Sequence, residues 1–218
     1  MKNEFSEKLN GVSTTAISDS LDMIGINGGL KSIHPISQGL SVVGPAYTLQ
    51  YEETREGEQA PAGDFIDEVP EGCVVVISTN NQTNCTVWGD ILTFVAQKKG
   101  IKGTVIDGLC RDAKKIRELN YPMFSKGVYM KSGKNRVKLI AKQVPVQING
   151  TTVYPNDIVC ADDNGVIVIP KNNLTEITKS AIAVEEMEQK ILSELTNGAP
   201  LKVTREKYNY NNYSLNKK

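Results

Sequence analysis

The sequence predicts an α/β domain with a parallel strand–helix core, β-hairpins and a long C-terminal helix. Residues 73–78, Cys-Val-Val-Val-Ile-Ser, form a short β-branched run of the kind buried on both faces of a parallel sheet. A helical pattern over 89–100 follows, then a strand pattern over 103–108 and a second helix over 111–119. Strand–helix–strand–helix with short connections is the order of parallel α/β structure.

The remaining elements follow in chain order. Ser13 is placed to cap a short amphipathic helix in which Ile17, Leu21 and Ile24 recur at helical spacing and Gly25 suits the C′ position. Residues 42–49 read as a strand. The acidic stretch 51–70, with Pro61, Gly63 and Pro70, reads as a loop with one helical turn, and 79–86 as a polar loop. Lys98, Lys99 and Gly100 end the 89–100 helix. Beyond Pro122, Asn149-Gly150 is a type I′ turn signal between two short strands, and residues 162–165 turn a second hairpin. A helix over 174–197 has Asn173 as its cap, Glu176 at N3 and Gly198 at its close. Residues 1–207 are thus expected to form one domain, and the polar residues 208–218 a disordered tail.

Composition narrows the function. Lys+Arg and Asp+Glu both number 25, so no global field favours nucleic acid or an anionic membrane. The N-terminus lacks the apolar run of a signal peptide, and no stretch reaches the roughly 20 apolar residues of a membrane span. The four cysteines, Cys73, Cys85, Cys110 and Cys160, show no C-x-x-C spacing and read as reduced thiols. A cytoplasmic protein is expected. His34 is the one histidine, which excludes a His-rich metal site or a histidine triad within a single chain.

Chemistry concentrates around Asp90 and the Arg111-Asp112 pair. From Asp90 the helix descends roughly 15 Å over ten residues, and the strand from Gly103 climbs back roughly 16 Å over five. The two lengths cancel, so both groups are expected at one rim, at the carboxyl ends of adjacent parallel strands, where open α/β sheets bind ligands. Asp112, with Asp90 nearby, offers hard oxygen ligands for a Mg²⁺ that keeps several waters. Arg111 offers a planar fork for a carboxylate, and the amides of Gly89, Asp90, Ile91 and Leu92 open a helix N-terminus toward another anionic oxygen. The plainer alternatives are a helix cap at Asp90 and a surface ion pair at Arg111-Asp112.

The stretch Trp88-Gly89-Asp90, Gly100, Gly103, Asp107-Gly108 and Arg111-Asp112 resembles the D-x20-R-D signature of RraA-like aldolases. Residues 13–25, Gly44-Pro45-Ala46, Tyr121-Pro122-Met123-Phe124 and 161–170 resemble further blocks in family order, so the likeness covers about 12–200. It implies a swivelling β/β/α domain in a homotrimer or homohexamer, and Mg²⁺ or Mn²⁺ as the metal. It also implies cleavage of a 4-hydroxy-2-oxo acid to pyruvate, together with oxaloacetate decarboxylation. Carried over, Asp112 is the metal ligand, Asp90 holds a water at the metal, and Arg111 binds the substrate and stabilises the enolate. Gly89, Asp90, Ile91 and Leu92 supply backbone amides to the substrate.

Two departures stand out. Lys115 occupies a position where some members place an acid, and the acid that aldolase members lend from a neighbouring subunit's C-terminal helix has three candidates, Glu185, Glu186 and Glu188. Cys85 lies in the loop before the motif, close enough to line a pocket. Asn80, Asn81, Gln82 and Asn84 read as turn residues, as does Asp162-Asp163. The rival function is that of a non-catalytic protein that binds and regulates an RNA-degrading endonuclease, as the family's namesake does. No glycine-rich loop supports a methyltransferase.

Overall fold

The computed structural model describes residues 7–61 and 63–210. The expected α/β architecture is present, centred on a ten-stranded mixed sheet. Its parallel heart consists of β3 (Val42–Glu53), β4 (Val74–Ser78), β6 (Gly103–Cys110) and β7 (Met123–Val128), neighbours in that order. Between them run helices α2 (Asp90–Lys98) and α3 (Ala113–Glu118). Alternation along each strand fills both faces. Tyr47, Leu49, Val75, Ile77 and Ile106 join one core, and Ala46, Val74, Val76 and Val105 join the other.

The rest of the sheet is antiparallel. The hairpin of β11 (Ile158–Asp162) and β12 (Gly165–Ile169) adds to the first half of β3, and β8 (Val137–Lys142) adds to its second half. Carrying two partners on one edge requires a long strand, which is why β3 continues to Glu53, past the 42–49 expected. Short edge strands β1 (Gly29–Leu30) and β2 (His34–Pro35) pair with β12 and β7. Asn149 and Gly150 both have positive φ, 48° and 91°, and form the expected turn between β9 (Val146–Ile148) and β10 (Thr151–Val153).

Helix α1 (Thr14–Asp22) is capped as expected, with the Ser13 hydroxyl accepting from the Ala16 N–H. It packs with α4 (Leu174–Thr196) over the β11–β12 hairpin through Ile17, Leu21, Ile177, Ala181 and Ile167. The capping box expected at Asn173 and Glu176 does not form. A 3-10 turn, Lys171–Asn173, leads into α4 and leaves Asn173 without a side-chain cap bond. Gly198, at φ 90°, ends that helix as expected, and a further helix, α5 (Leu201–Lys207), follows. Tyr208 and Tyr210, placed by the sequence at the start of a tail, hydrogen-bond Glu194 and Glu188. Residues 211–218 of that expected tail lie outside the described residues. Among the described residues no helix is long and apolar enough to cross a membrane.

Asp162 fastens α1 to the sheet. Its carboxylate accepts from the Thr14 N–H (2.9 Å), the Thr14 hydroxyl (2.7 Å) and the Asn164 N–H (2.8 Å). Partial burial alone would raise its pKa, but these bonds outweigh that and hold it below the ordinary 3.8. A depressed carboxyl stabilises the fold above its unfolded pKa, and that contribution is lost as pH falls through the folded value. Asp162→Ala should therefore lower stability at neutral pH by about 1–2 kcal/mol, read as a shifted urea midpoint. The gap between wild type and variant should close as the pH is taken below the carboxyl range, and a pH-independent gap would contradict the assignment.

Candidate functional site

The site begins with a strand that the sequence hid. Thr86, the last residue of the expected loop, and the two residues after it form β5 (Thr86–Trp88), which runs parallel to the end of β6. This pairing lets the Arg111 N–H donate to the Trp88 carbonyl at 2.9 Å, drawing together two segments distant in sequence. Trp88 is the anchor. Its ring stacks on Tyr121 at 6.2 Å and touches Phe65 at 6.3 Å, and its Nε1–H donates to Thr93, whose hydroxyl donates on to the Gly89 carbonyl. That relay ties the buried indole to the first turn of α2.

The expected rim geometry is met. The Asp90 N–H donates to Asp112 Oδ2 at 3.2 Å, and Arg111 Nε lies 3.3 Å from the same oxygen. Asp112 has φ 58° and ψ 35°, a left-handed conformation that Asp adopts more readily than most residues. In consequence the Arg111-Asp112 pair precedes α3 instead of opening it. Gly89 makes the approach feasible, since a Cβ there would sit 2.7 Å from Asp112 Oδ2 and 3.1 Å from Arg111 Nε.

Gly89, Asp90 and Arg111 border an open cleft of about 480 Å³, and Asp112 contacts the latter two without itself being among the lining residues. Trp88, Gly89, Asp90, Ile91, Leu92 and Arg111 line it, together with residues the sequence did not nominate: Tyr51, Asp64, Asp67, Ser132 and Lys134. Asp64 and Asp67 belong to a 3-10 turn, Asp64–Glu68, that the sequence showed only as one turn in an acidic loop. Of the helix-terminal amides expected to face a substrate, two are engaged within the chain. Asp112 takes that of Asp90, and the Asp90 carboxylate takes that of Ile91 at 2.8 Å.

A divalent cation would find a limited donor set here. Among the described residues no group of three or more His, Cys, Asp or Glu side chains converges. The Asp112 side chain is 36% exposed and receives its described contacts through Oδ2. One accessible carboxylate with the rest of the shell from water is an arrangement that suits Mg²⁺, so the donor set fits such an ion.

Neighbouring candidates separate clearly. Cys85 is 1% exposed, accepts from Gln82 Nε2 at 3.2 Å and faces the core, not the cleft. Asn80, Asn81, Gln82 and Asn84 do not line the cleft either. Asn80 and Asn81 take positive φ in a loop organised by Asp107, which the sequence showed only as part of a motif. Asp107 is fully buried and accepts from the Thr79 N–H (2.5 Å), the Thr79 hydroxyl (2.7 Å) and the Asn81 N–H (3.3 Å). Lys115 is exposed and pairs with Glu118. On α4, Glu185 accepts from the Ser13 N–H and hydroxyl, Glu188 meets Tyr210, and Glu186 is exposed.

Comparison with known proteins agrees with this architecture. Residues 14–168 match the RraA-like family, Aldolase/RraA. The chain is 47% identical over 206 residues to protein DlpA of Legionella pneumophila, covering 94% of this chain but 34% of DlpA, so it spans about a third of that relative. It is 30% identical over 194 residues to a Halalkalibacterium halodurans protein provisionally named 4-hydroxy-4-methyl-2-oxoglutarate aldolase, covering 88% and 90% of the two chains. A crystal structure of an uncharacterized protein from Pseudomonas syringae pv. tomato superposes with a TM-score of 0.90 at 39% identity over 95% of each chain. Streptomyces coelicolor RraAS2, described as an unusual member of the RNase ES inhibitor RraA protein family, superposes with a TM-score of 0.81 at 32% identity over 88% of this chain and 98% of that one. With a match that runs from α1 into β12 and the same architecture in solved relatives, the chain belongs to the RraA-like family.

Proposed function

We propose that this protein is a divalent-metal-dependent lyase that cleaves a 4-hydroxy-2-oxo acid to pyruvate and also decarboxylates oxaloacetate. The observation that carries this reading is the meeting of Asp112 with two residues of the cleft wall, its Oδ2 lying 3.2 Å from the Asp90 N–H and 3.3 Å from Arg111 Nε. Family membership supports it, as does the name carried by the Halalkalibacterium relative.

Asp112 would hold the cation, Mg²⁺ or Mn²⁺, which when bound supplies Lewis-acid stabilisation to a 2-oxo acid. The protein's own groups do the rest. Arg111 keeps its terminal guanidinium nitrogens for the substrate while Nε stays paired with Asp112, so its fork binds the carboxylate and stabilises negative charge on the adjacent oxygen. Asp90 spends one carboxylate oxygen on the Ile91 N–H, and the other orients the water that takes the 4-hydroxyl proton. Both reactions leave the same pyruvate enolate, which explains how one site serves two substrates. No Schiff-base lysine is required.

We further propose a homotrimer or homohexamer, in the cytoplasm, in which α4 lends an acid to a neighbouring site. Glu186 is the candidate, because Glu185 is committed to Ser13 and Glu188 to Tyr210.

Pyruvate release from oxaloacetate and from 4-hydroxy-4-methyl-2-oxoglutarate should require Mg²⁺ or Mn²⁺, stop with chelator, and be abolished by Asp112→Ala. Turnover of neither compound above the metal-only background would sink the reading. Arg111→Gln should lower kcat by on the order of 10²-fold or more, the range for losing one transition-state donor. Gly89→Ala is a sharper probe. The new methyl displaces Asp112 and Arg111 without straining an extended backbone (φ −152°), so kcat should collapse while the melting temperature barely moves. An unimpaired Gly89→Ala enzyme would mean that the Asp112–Arg111 geometry is not the reacting one.

A further inference from the structure

The cleft carries charge of both signs in separate places. Arg111 pairs with Asp112, and among the described residues no ion pair joins Asp64 or Asp67 to any cation. Asp67 meets Lys99 only through its main-chain carbonyl, at 2.7 Å, so both carboxylates stay exposed in the cleft. Beside them lies Tyr51, whose side chain is buried to 2% exposure and held edge-on against Phe65 at 6.4 Å. No hydrogen bond engages its hydroxyl among the described residues, although it borders the same cleft. Burial and then the charge on Asp64 push this phenol above its ordinary range, so it remains a neutral donor and acceptor at physiological pH.

We propose that Tyr51, Asp64 and Asp67 form a subsite for an uncharged, hydroxylated substrate tail, which makes the favoured substrate a polyhydroxylated 4-hydroxy-2-oxo monocarboxylic acid, not a dicarboxylate. The proposal rests on the lyase reading above. Two carboxylates and a phenol are a complete partner set for sugar hydroxyls, which donate to the former and accept from the latter. A tail ending in a carboxylate would instead face two like charges, with Lys134 the one lining cation among the described residues left to oppose them once Arg111 is paired with Asp112 and holds the substrate's own carboxylate. A site built to bond hydroxyls also discriminates strongly against analogues that lack them. In the cleavage the C3–C4 bond breaks and the 4-hydroxyl proton leaves. C4 becomes the aldehyde that carries the polyol tail, and the electron pair passes to C3, where one proton completes pyruvate.

The test compares kcat/KM of the Mg²⁺-loaded protein on a 2-oxo-3-deoxyhexonate and on 4-hydroxy-4-methyl-2-oxoglutarate, with oxaloacetate decarboxylation as a check on the lyase core. Wild type should favour the hexonate at least tenfold. The Asp64→Asn/Asp67→Asn double variant should cut that preference at least tenfold, and Tyr51→Phe should raise KM for the hexonate severalfold with kcat little changed. Circular dichroism verifies that each variant is folded. Preference for the dicarboxylate, or a ratio indifferent to the double variant, would overturn the subsite while oxaloacetate turnover leaves the lyase standing. Wild type inert toward all three compounds would overturn both.

Discussion

The bond from the Arg111 N–H to the Trp88 carbonyl is the contact on which the rest of the site depends. It fixes β5 against the end of β6, and through β5 it fixes where α2 starts. Asp90 then arrives beside Asp112 with no freedom left in the intervening chain, because strand, helix and strand are each rigid. The bond is a main-chain one, so side-chain substitution at either residue leaves its donor and acceptor in place. The side chains refine what it establishes. Trp88 fills the space beneath, between Phe65 and Tyr121, and such aromatic pairs contribute about 0.5–1.5 kcal/mol each beyond their burial. Thr93 relays the indole's position to the Gly89 carbonyl. A buried apolar stack thus sets the orientation of an exposed polar rim.

What was legible in the sequence follows from what is local. The meeting of Asp90 with Arg111-Asp112 could be computed from helix and strand rise because the connection is regular throughout. Asn149-Gly150 announced its turn through backbone preference, and Ser13 its cap. Strand β5 escaped because three residues after a run of amides offer no period to detect. Strands β7 and β8 escaped for a related reason. Lys126 and Gly127 interrupt one, and Lys138 and Lys142 occur in the other, where they pair with Glu58 and Glu68 instead of facing solvent alone. Asn173 has the right type for a cap, yet the 3-10 turn before it places its backbone outside the capping conformation.

The cleft's acidic end was invisible for a longer-range reason. Asp64 and Asp67 reach it because their turn packs on the first turn of α2. There Leu92 lies so close to Gly63 that a Cβ would meet it at 2.9 Å. Nothing within residues 51–70 encodes that neighbour. Tyr51 was likewise hidden, since the sequence reading stopped its strand at 49. The additional strand length that lets β3 hold β8 also carries Tyr51 to the cleft. Glu185 shows the converse case. It looked interchangeable with Glu186 on a helix face, and only the placement of α1 against α4 commits it to Ser13.

The same geometry weighs between the two activities associated with the family. A surface used only to dock another protein needs shape and complementary charge, which ordinary backbone supplies. Here Asp112 is held in a left-handed conformation, a state that costs a non-glycine residue on the order of 1–3 kcal/mol. A glycine faces it at a distance that excludes any side chain. Its carboxylate then receives a helix-terminal N–H and a guanidinium on one oxygen while the side chain stays 36% exposed. Docking alone gives no reason to maintain strain, a close glycine approach and an accessible carboxylate at one point. Holding a cation beside an arginine does, and for that reason the lyase reading is preferred to the regulatory one.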